Sequence, residues 1–445
     1  MAANRSSFLG STPFNFWHQS TVRSPKTRPN VRVSVVKSES NVRKQDIVIV
    51  GGGIAGLATA LSLHRLGVSS LVLEQAESLR TTGTSLTLFK NGWRVLDAIG
   101  VANDLRPQFL EIQGMVVKSE EGRELRAFNF KQEDQSACSQ EVRAVERRVL
   151  LETLSEKLPK DALQFSSKLS NIESTSNGDS LLHLVDGSKL LAKVVIGCDG
   201  IRSPVAKWMG FSEPKYSGHC AYRGLGFYPE GQPFGPNVNY IYGRGLRAGY
   251  VPVSPTKVYW FICFNSPSLG PRITDPAVLK KEAKKLVAKW PSELMNIIEC
   301  SPDETVSRTP LVDRWLWPGL SPAASTGKVV VVGDAWHPMT PNLGQGACCA
   351  LEDSVVLATK LAKAIKSDND DVEIEAAFRS FESERWPRVF PLTIRANLVG
   401  SILQWENPVV CSVRNNIVLP KLVSLGPLLE HTNFTCDPLS ATSSN

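Results

Sequence analysis

Residues 46–56, Asp-Ile-Val-Ile-Val-Gly-Gly-Gly-Ile-Ala-Gly, constrain the fold more than any other stretch of the chain. The apolar run Ile47–Val50 predicts a buried strand, and the apolar periodicity after the glycines predicts a helix. Gly51, Gly53 and Gly56 fit G-x-G-x-x-G. The first glycine permits the sharp turn, the second lets a diphosphate approach the backbone, and the third lets the helix pack on the strand. The positive N-terminus of the helix also favours a diphosphate.

The residues after this loop complete a βαβ pattern. The helical pattern ends at Gly67, a typical residue after a helix C-terminus, and Leu71–Glu74 predicts a second strand. Glu74 lies 18 residues after Gly56, where an acid is expected to accept hydrogen bonds from an adenosine ribose. A structural glycine turn with a surface glutamate is the alternative. The complete pattern of strand, glycines, helix and acid favours a nucleotide site.

The positive charge of the chain is confined to its beginning. The formal net charge is +7, and residues 1–45 carry eight Lys/Arg and one acid. The remaining 42 basic and 42 acidic residues balance, so the folded part gives no global argument for nucleic-acid binding.

Residues 1–45 are also rich in Ser and Thr and contain no long apolar run, which is typical of an organelle transit peptide. We expect plastid targeting, with mitochondrial targeting and a plain disordered tail as alternatives, and we exclude the segment from the fold. The sequence contains no stretch of about 18 or more apolar residues, so we expect no transmembrane helix. The nine cysteines include no C-x-x-C, so we expect reduced thiols and no metal site.

Two further glycine-containing loops directly follow a predicted strand. Ala192–Ile196 predicts a strand that runs into Gly197-Cys198-Asp199-Gly200-Ile201-Arg202-Ser203. Lys328–Val332 predicts a strand that runs into Gly333-Asp334-Ala335-Trp336-His337-Pro338, and a helical pattern with Ala347 on its apolar face follows the glycines of that loop. Because a helix N-terminus favours an electron-rich or anionic group, we expect the first and last loops to embrace one long cofactor.

Residues 211–310 differ from the rest, since they are rich in aromatic residues, glycine and proline and contain several strand patterns. They predict a largely antiparallel sheet inserted between α/β parts, with one helix over Pro276–Trp290. Gly243-Arg244-Gly245 lies between two predicted strands and is interpreted as a hairpin turn. Residues 391–445 contain apolar clusters broken by charges and prolines, which predict a packing helix and irregular cover. A membrane-surface role for this segment is possible but not favoured.

With these loops in order, the chain resembles the single-component FAD-dependent aromatic hydroxylases, which include salicylate, 3-hydroxybenzoate and urate hydroxylases. The resemblance covers about residues 45–400, and the chain departs from the family pattern at Ala206, Cys198 and Cys348. It implies an α/β fold with an α+β insert. A Rossmann-like FAD-binding domain (46–210 and 311–390) is interrupted by a mainly antiparallel β-sheet substrate domain (211–310), and a C-terminal helical segment follows (391–445).

The resemblance also implies a reaction. NAD(P)H reduces FAD, reduced flavin takes up O2 as a C4a-hydroperoxide, and the distal oxygen passes to a small electron-rich substrate. It implies no separate NAD(P)H domain, in agreement with the single G-x-G-x-x-G. The loop Pro338–Gly346 is expected beside the isoalloxazine, where backbone N–H groups would stabilise negative charge on the ring.

Several residues match cofactor-binding positions of the family. Asp334 matches the aspartate that binds the ribityl chain, and Asp199 matches a residue associated with both FAD and NAD(P)H. Arg80 and Arg147 match arginines that contact FAD, although both are equally consistent with solvated surface charges. The cofactor-binding residues expected on these grounds are Gly51, Gly53, Ala55, Gly56, Glu74, Arg80, Arg147, Asp199, Asp334, Pro341, Gly344, Gly346 and Ala347.

Four residues are candidates for the catalytic or substrate site. Arg247 and Tyr259 match the substrate-side Arg and Tyr of urate hydroxylases, and Arg223 matches an Arg near the flavin in the salicylate branch. An Arg can hold a carboxylate or ring carbonyls through two hydrogen bonds, and a Tyr can orient or deprotonate a phenol. The alternatives are a core Tyr259 and a surface Arg247. His337 is a candidate base, but its place inside the loop favours positioning of the loop.

Two other functions remain open at this point. One is a plastid terpenoid or carotenoid epoxidase or reductase on the same flavin scaffold, which a substrate pocket lined only by apolar side chains would favour. The other is a non-catalytic binding protein on a flavoprotein fold, against which Gly56, Glu74, Asp199 and Asp334 all argue. The expected partners are a small-molecule substrate, O2 and NAD(P)H, with no nucleic acid.

Overall fold

The computed structural model describes residues 42–79, 85–130, 140–367 and 369–440. In chain order the strands of this part are β1 (Arg43–Val50), β2 (Leu71–Leu73), β3 (Ser85–Leu88), β4 (Gly114–Ser119), β5 (Glu124–Asn129), β6 (Arg143–Glu146), β7 (Leu163–Gln164), β8 (Leu169–Ser174), β9 (Ser180–Leu184), β10 (Lys189–Gly197), β11 (Lys215–Phe227), β12 (Asn237–Tyr242), β13 (Leu246–Ser254), β14 (Lys257–Asn265), β15 (Ser307–Asp313), β16 (Ser325–Thr326) and β17 (Val329–Val331).

The α-helices of the same residues are α1 (Ile54–Arg65), α2 (Lys90–Ala98), α3 (Ala102–Leu105), α4 (Arg147–Glu156), α5 (Pro204–Trp208), α6 (Pro276–Leu286), α7 (Ser292–Glu299), α8 (Gly346–Ala364), α9 (Asp370–Leu403), α10 (Pro408–Val413) and α11 (Leu425–Leu429). A π-helical segment, Arg414–Leu422, continues α10.

The first sheet has the order β16-β17-β10-β1-β2-β7, with β9 and β8 attached beside β10. Strands β17, β10, β1, β2 and β7 run parallel, as expected for a doubly covered α/β sheet. The residues Ile47–Val50 are buried, and helices α1 and α8 pack against each other beside the sheet. The βαβ unit predicted from the glycine pattern is therefore present as β1, α1 and β2.

The structure moves the start of the fold. Strand β1 begins at Arg43, and Arg43, Lys44 and Gln45 pair with successive residues of β10. The sequence analysis assigns these three residues to the N-terminal segment 1–45, which it places outside the fold. Their polar side chains give no apolar pattern, but backbone pairing with β10 does not require one.

The second sheet has the order β15-β11-β14-β13-β12-β4-β5 and is antiparallel except where β12 pairs with β4. One face carries Trp260, Ile262 and Tyr250, which share a buried cluster with residues of α6 and α7. The sheet extends beyond 211–310, the range predicted for it, because β4 and β5 join its edge through the parallel β12–β4 pairing. Strands β4 and β5 are neighbours in the chain, whereas their partner β12 follows only at Asn237, so the pairing of β12 with β4 is a long-range contact.

Two helices also differ from the sequence interpretation. Helix α6 ends at Leu286 instead of Trp290, and Asp275 caps its start by accepting a hydrogen bond from the Ala277 N–H at 2.9 Å. Helix α9 continues through Pro387 and Pro391 across the boundary predicted at 390. An internal proline costs about 3 kcal/mol. The buried side chains of α9 on both sides of the prolines outweigh this cost.

Candidate active site

Three loops meet at one edge of the first sheet. Val50 of β1 is paired with Gly197 of β10, and Gly197 is paired with Val331 of β17. Because the three strands are parallel and in register, the loops that follow them leave the sheet side by side. The sheet therefore brings together three motifs that are spread over some 280 residues of the sequence, at the place where parallel α/β sheets bind ligands.

The glycines of the first loop differ in what surrounds them. Gly51 has a positive φ of 108°, and a Cβ there would lie 2.5 Å from the carbonyl oxygen of Cys198. A Cβ on Gly56 would lie 1.9 Å from the carbonyl oxygen of Gly51. The fold therefore requires glycine at both positions, whether or not a cofactor is bound. A Cβ on Gly53 would meet no atom of the described residues within 4 Å. This open space in front of the N-terminus of α1 fits the diphosphate of a dinucleotide.

Glu74 lies directly after β2 and faces the same loop. Its carboxylate accepts hydrogen bonds from the Gly52 N–H at 2.7 Å and from the Ala76 N–H at 2.9 Å. A carboxylate has about four acceptor sites, so these two bonds leave capacity for ribose hydroxyls. The structure thus gives Glu74 a second role that the sequence did not predict, which is to hold the glycine loop in place.

Asp199 lies near the start of the second loop, and its two carboxylate oxygens differ in their hydrogen bonds. Its Oδ2 atom accepts a hydrogen bond from the Val205 N–H at 3.2 Å, whereas Oδ1 is buried and has no hydrogen-bond partner within residues 42–79, 85–130, 140–367 and 369–440. Burial raises the pKa of Asp199 to about 6, and hydrogen bonds from Ser203 and the backbone oppose this shift. An unpaired buried acceptor is costly, and a hydroxyl or amide donor of a cofactor would satisfy it.

The third loop contains Asp334 and leads into α8. Burial raises the pKa of Asp334, and the charges of His337, Arg147 and Arg314 oppose the shift. Gly333 and Gly344 have positive φ angles of 60° and 64°. Pro341 begins a 3-10 turn that ends at Gly344, and α8 begins at Gly346 followed by Ala347. The first residues of α8 therefore present backbone N–H groups beside the loop.

The first and third loops are in contact with each other. A Cβ on Gly333 would lie 3.1 Å from the Cβ of Ala55 and 3.2 Å from that of Ala350. Ala55 therefore stands in the first turn of α1 where the two loops meet. The predicted cofactor residues of both loops consequently line one continuous site. Arg147, at the first position of α4, is close enough to Asp334 to influence its pKa. Arg80 lies outside the described residues.

His337 does not face the cleft. Its ring is fully buried, and its Nε2 atom is 2.6 Å from Oδ2 of Asp353. Asp353 also accepts hydrogen bonds from the Gly333 N–H at 3.1 Å and from Nε of Arg385 at 2.7 Å. Burial would raise the pKa of Asp353, but the charges of His337 and Arg385 lower it to about 2. This geometry gives His337 the role of holding the loop and does not support a catalytic base.

Arg314 is a residue of the site that the sequence interpretation missed. Its guanidinium donates to the carbonyl oxygens of Ala335 at 2.7 Å and Trp336 at 3.1 Å. Its charge also lowers the pKa values of Asp199 and Asp334, against the larger effect of burial. Arg314 follows β15 by one residue, and the sequence offers no local pattern that would connect it with a loop 20 residues later.

The three substrate-side candidates lie on one face of the second sheet. Arg223 of β11 is paired with Phe261 of β14, and Arg247 of β13 is paired with Cys263. Tyr259 is two residues from Phe261 along β14, and side chains two residues apart share a face. Arg247 and Tyr259 are thus offset by four residues, about 14 Å along the strands. Phe261 lies between them, with its ring centroid 6.2 Å from that of Tyr259.

This face is connected to the third loop through Arg247. The Arg247 guanidinium donates a hydrogen bond from Nη2 to Oδ1 of Asn342, whereas its buried Nε has no partner in the part of the chain that the structure describes. Burial raises the pKa of the neighbouring Tyr240, and the charge of Arg247 opposes this shift. Arg247 is 4 % exposed, so it is neither a surface charge nor fully satisfied by the protein. The structure thus brings Arg247, but not His337, to the space between the sheet and the loop.

A glycine loop at the edge of a parallel sheet, facing a second sheet with arginine and aromatic side chains, is the arrangement expected of an enzyme that binds a nucleotide cofactor. Residues 44–390 match the family of FAD binding domains. Monooxygenase 2 of Arabidopsis thaliana is 36% identical over 406 residues, which cover 88% of this chain and 98% of that protein. The chain therefore belongs to the FAD-dependent monooxygenases related to the aromatic hydroxylases.

Two further similarities agree with this family. The FAD-dependent urate hydroxylase of Klebsiella pneumoniae is 25% identical over 354 residues, which cover 78% of this chain and 88% of that enzyme. The crystal structure of Klebsiella pneumoniae HpxO with FAD and uric acid superposes with a TM-score of 0.74 at 22% identity and covers 88% of this chain and 96% of that one. This second similarity shows the shared fold.

Proposed function

We propose that the protein hydroxylates a small aromatic or other electron-rich cyclic compound, with NAD(P)H as the electron donor and O2 as the oxygen source. The observation that carries the proposal is Arg247, whose buried Nε has no hydrogen-bond partner among the described residues and whose Nη2 donates to Asn342 of the third loop. An anionic or carbonyl-bearing substrate would satisfy this guanidinium. The urate hydroxylase relative supports the same substrate class.

The residues of the site have different roles, which are to bind the cofactor, to hold the third loop and to orient the substrate. When bound, FAD supplies the exchange of electrons with NAD(P)H and the activation of O2. The first loop binds its diphosphate, Asp199 and Asp334 accept hydrogen bonds from its hydroxyl groups, and Arg314 and His337 hold the third loop. Arg247 orients the substrate against that loop. The aromatic face around Phe261 excludes water from the bound substrate.

The test is oxidation of NADH and NADPH by the FAD-loaded full chain with phenols, purines and carotenoids as substrates. We expect a phenol or purine to stimulate oxidation together with formation of a hydroxylated product. Arg247→Ala is expected to raise KM or to uncouple oxidation from hydroxylation, whereas the exposed Arg244→Ala is the matched control and keeps coupled turnover. Stimulation by carotenoids alone would support an epoxidase instead. If the chain cannot be loaded with FAD, the result supports a non-catalytic binding protein instead.

We also propose that residues 1–45 direct the protein to plastids. The support is their Ser- and Arg-rich, acid-poor composition. A fluorescent protein fused after residue 45 is expected in plastids of leaf cells. A mitochondrial or cytosolic signal contradicts the proposal, and a fusion without residues 1–41 is the control.

A further inference from the structure

Tyr240 lies on the same face of the second sheet as Arg247, the face that is connected to the third loop. Tyr240 belongs to β12 and is paired with Gly249 of β13, which is two residues after Arg247. Residues two apart on a strand share a face, and residues that are directly paired also share one. Diagonal neighbours of this kind are about 7–8 Å apart, within reach of long and aromatic side chains. The guanidinium of Arg247 and the phenol of Tyr240 can therefore contact one small ring.

The ring of Tyr240 is held by aromatic neighbours on two sides. Its centroid lies 6.2 Å from that of Tyr242, with the rings nearly parallel at 15°, and 6.1 Å from that of Phe261, with the rings at 62°. Gly249 leaves space for the ring of Phe261, since a Cβ there would lie 2.6 Å from Cζ of Phe261. A side chain that is already fixed by packing loses little freedom when a ligand binds, so Tyr240 is preorganised.

The hydroxyl group of Tyr240 differs from those of the tyrosines on or beside β11. The hydroxyls of Tyr216, Tyr222 and Tyr228 donate to a carbonyl, a carboxylate and an amide oxygen of the protein. Within the described residues the hydroxyl of Tyr240 makes no hydrogen bond, although its side chain is only partly exposed. Tyrosine hydroxyls usually have a partner when the ring is buried. A ligand between the sheet and the third loop would supply one.

The hydroxyl of Tyr240 keeps its proton at neutral pH and is available as a donor. Burial raises its pKa above the usual value, and Cys263 acts in the same direction, whereas the charge of Arg247 opposes the shift. A protonated phenol can donate a hydrogen bond, and a guanidinium has donors only. The two side chains therefore direct donors to the same space, which favours a ligand that carries acceptor oxygens.

Two other tyrosines of this face are less suited to act together with Arg247. Tyr242 is only 7 % exposed, and the guanidinium of Arg414 lies 5.6 Å from the centre of its ring, so this ring is covered by the C-terminal helices. Tyr259 is offset from Arg247 by four residues, which is about 14 Å along the strands. Tyr240 is both partly exposed and diagonal to Arg247.

We propose that Tyr240 binds the substrate together with Arg247, by donating a hydrogen bond to a second oxygen of the substrate. The proposal rests on the proposed function and adds a specificity-determining residue to it. The guanidinium takes an anionic or carbonyl oxygen, and the phenol takes another oxygen of the same ring system. A neutral hydrogen bond of this kind changes affinity by about 3- to 10-fold. Tyr240 thus selects rings with two acceptor oxygens over rings with one.

The test is equilibrium binding of probe ligands to the FAD-loaded full chain in the absence of NAD(P)H, followed by the change in flavin absorbance. Benzoate is compared with the three monohydroxybenzoates, which carry a second oxygen, and xanthine is compared with urate, which carries one more ring oxygen. We expect the parent protein to prefer the oxygen-bearing ligand of at least one pair by about 3- to 10-fold. Tyr240→Phe is expected to abolish this preference and to leave the affinity for the ligand without the oxygen unchanged.

Tyr250→Phe is the matched control. Tyr250 lies on β13 of the same sheet, but it belongs to the buried cluster on the opposite face, which contacts α6 and α7. Removing its hydroxyl is therefore expected to leave the preference of the parent protein unchanged. The flavin absorbance before addition of ligand reports whether each variant is folded and loaded with FAD.

The proposal is overturned if Tyr240→Phe keeps the preference of the parent protein. It is also overturned if Tyr240→Phe lowers the affinities of both members of a pair equally, because the residue then acts only on the shape of the site. A parent protein without a preference in any pair overturns it as well. The proposed function fails on a different result, which is that no phenol or purine stimulates NAD(P)H oxidation coupled to hydroxylation.

Discussion

Gly53→Ala separates the requirements of the fold from those of the cofactor. A Cβ at this position meets no atom within 4 Å in the part of the chain that the structure describes, and the backbone of Gly53 has an ordinary extended conformation, with φ −84° and ψ −170°. Alanine therefore fits without strain. Because alanine reduces the freedom of the unfolded chain, the FAD-free variant is expected to be as stable as the parent protein or more stable by about 0.4–1 kcal/mol.

The same methyl group occupies the space proposed for the diphosphate. Adding a methyl to a packed contact costs about 1–3 kcal/mol, which corresponds to FAD binding weaker by roughly 5- to 150-fold. Gly56→Ala is the contrasting variant. Its Cβ would lie 1.9 Å from the carbonyl oxygen of Gly51, so it is expected to destabilise the FAD-free protein as well.

Urea unfolding of the FAD-free proteins measures stability, and titration of flavin fluorescence measures affinity. The reasoning is refuted if Gly53→Ala binds FAD as tightly as the parent protein, because the diphosphate then does not pass Gly53. It is equally refuted if Gly53→Ala unfolds as readily as Gly56→Ala, because the space at Gly53 is then not open.

Further predictions concern the acids of the site. Since burial raises the pKa of Asp199 from 3.8 to about 6, the folded FAD-free protein keeps a proton that the unfolded chain loses between these values, and stability declines as pH rises from about 4 to about 6. Asp199→Asn should remove this decline and stabilise the FAD-free protein at neutral pH by at most about 3 kcal/mol; an unfolding profile as steep as that of the parent protein would contradict this. Asp334→Ala is expected to weaken FAD binding more than Glu74→Ala, as measured by flavin retained after gel filtration. Full flavin occupancy in Asp334→Ala would remove that residue from the cofactor site.

The cofactor loops could be predicted because their information is local. A strand, a glycine turn and a helix N-terminus follow one another within about a dozen residues at Gly51–Gly56 and at the third loop. The residues that support the loops are not local. Asp353 holds Gly333 and His337 from the middle of α8, and Arg314 holds the third loop from the end of β15. No spacing rule connects these residues with their partners.

Strand pairing and helix continuation were decided by packing. The hairpin β4–β5 is recognisable from its own turn, but only the parallel register between Asn237–Tyr242 and Gly114–Ser119 assigns it to the second sheet. The prolines of α9 predict a break, because each removes a backbone donor. The helix continues because the apolar side chains on both sides of the prolines are buried by the rest of the fold.

The sequence by itself determined the class of cofactor, because backbone turns and helix N-termini depend on neighbouring residues. The tertiary structure decided how that cofactor site is completed. It brought the ends of β1, β10 and β17 to one edge, directed Arg247 toward the third loop and buried the side chain of His337 against Asp353. It also decided that Val409, Val413 and Ile417 are exposed while Arg414 is buried, because Arg414 donates hydrogen bonds to the carbonyl oxygens of Leu403 and Gly243. Contacts between distant residues set these features, so no short stretch of sequence encodes them.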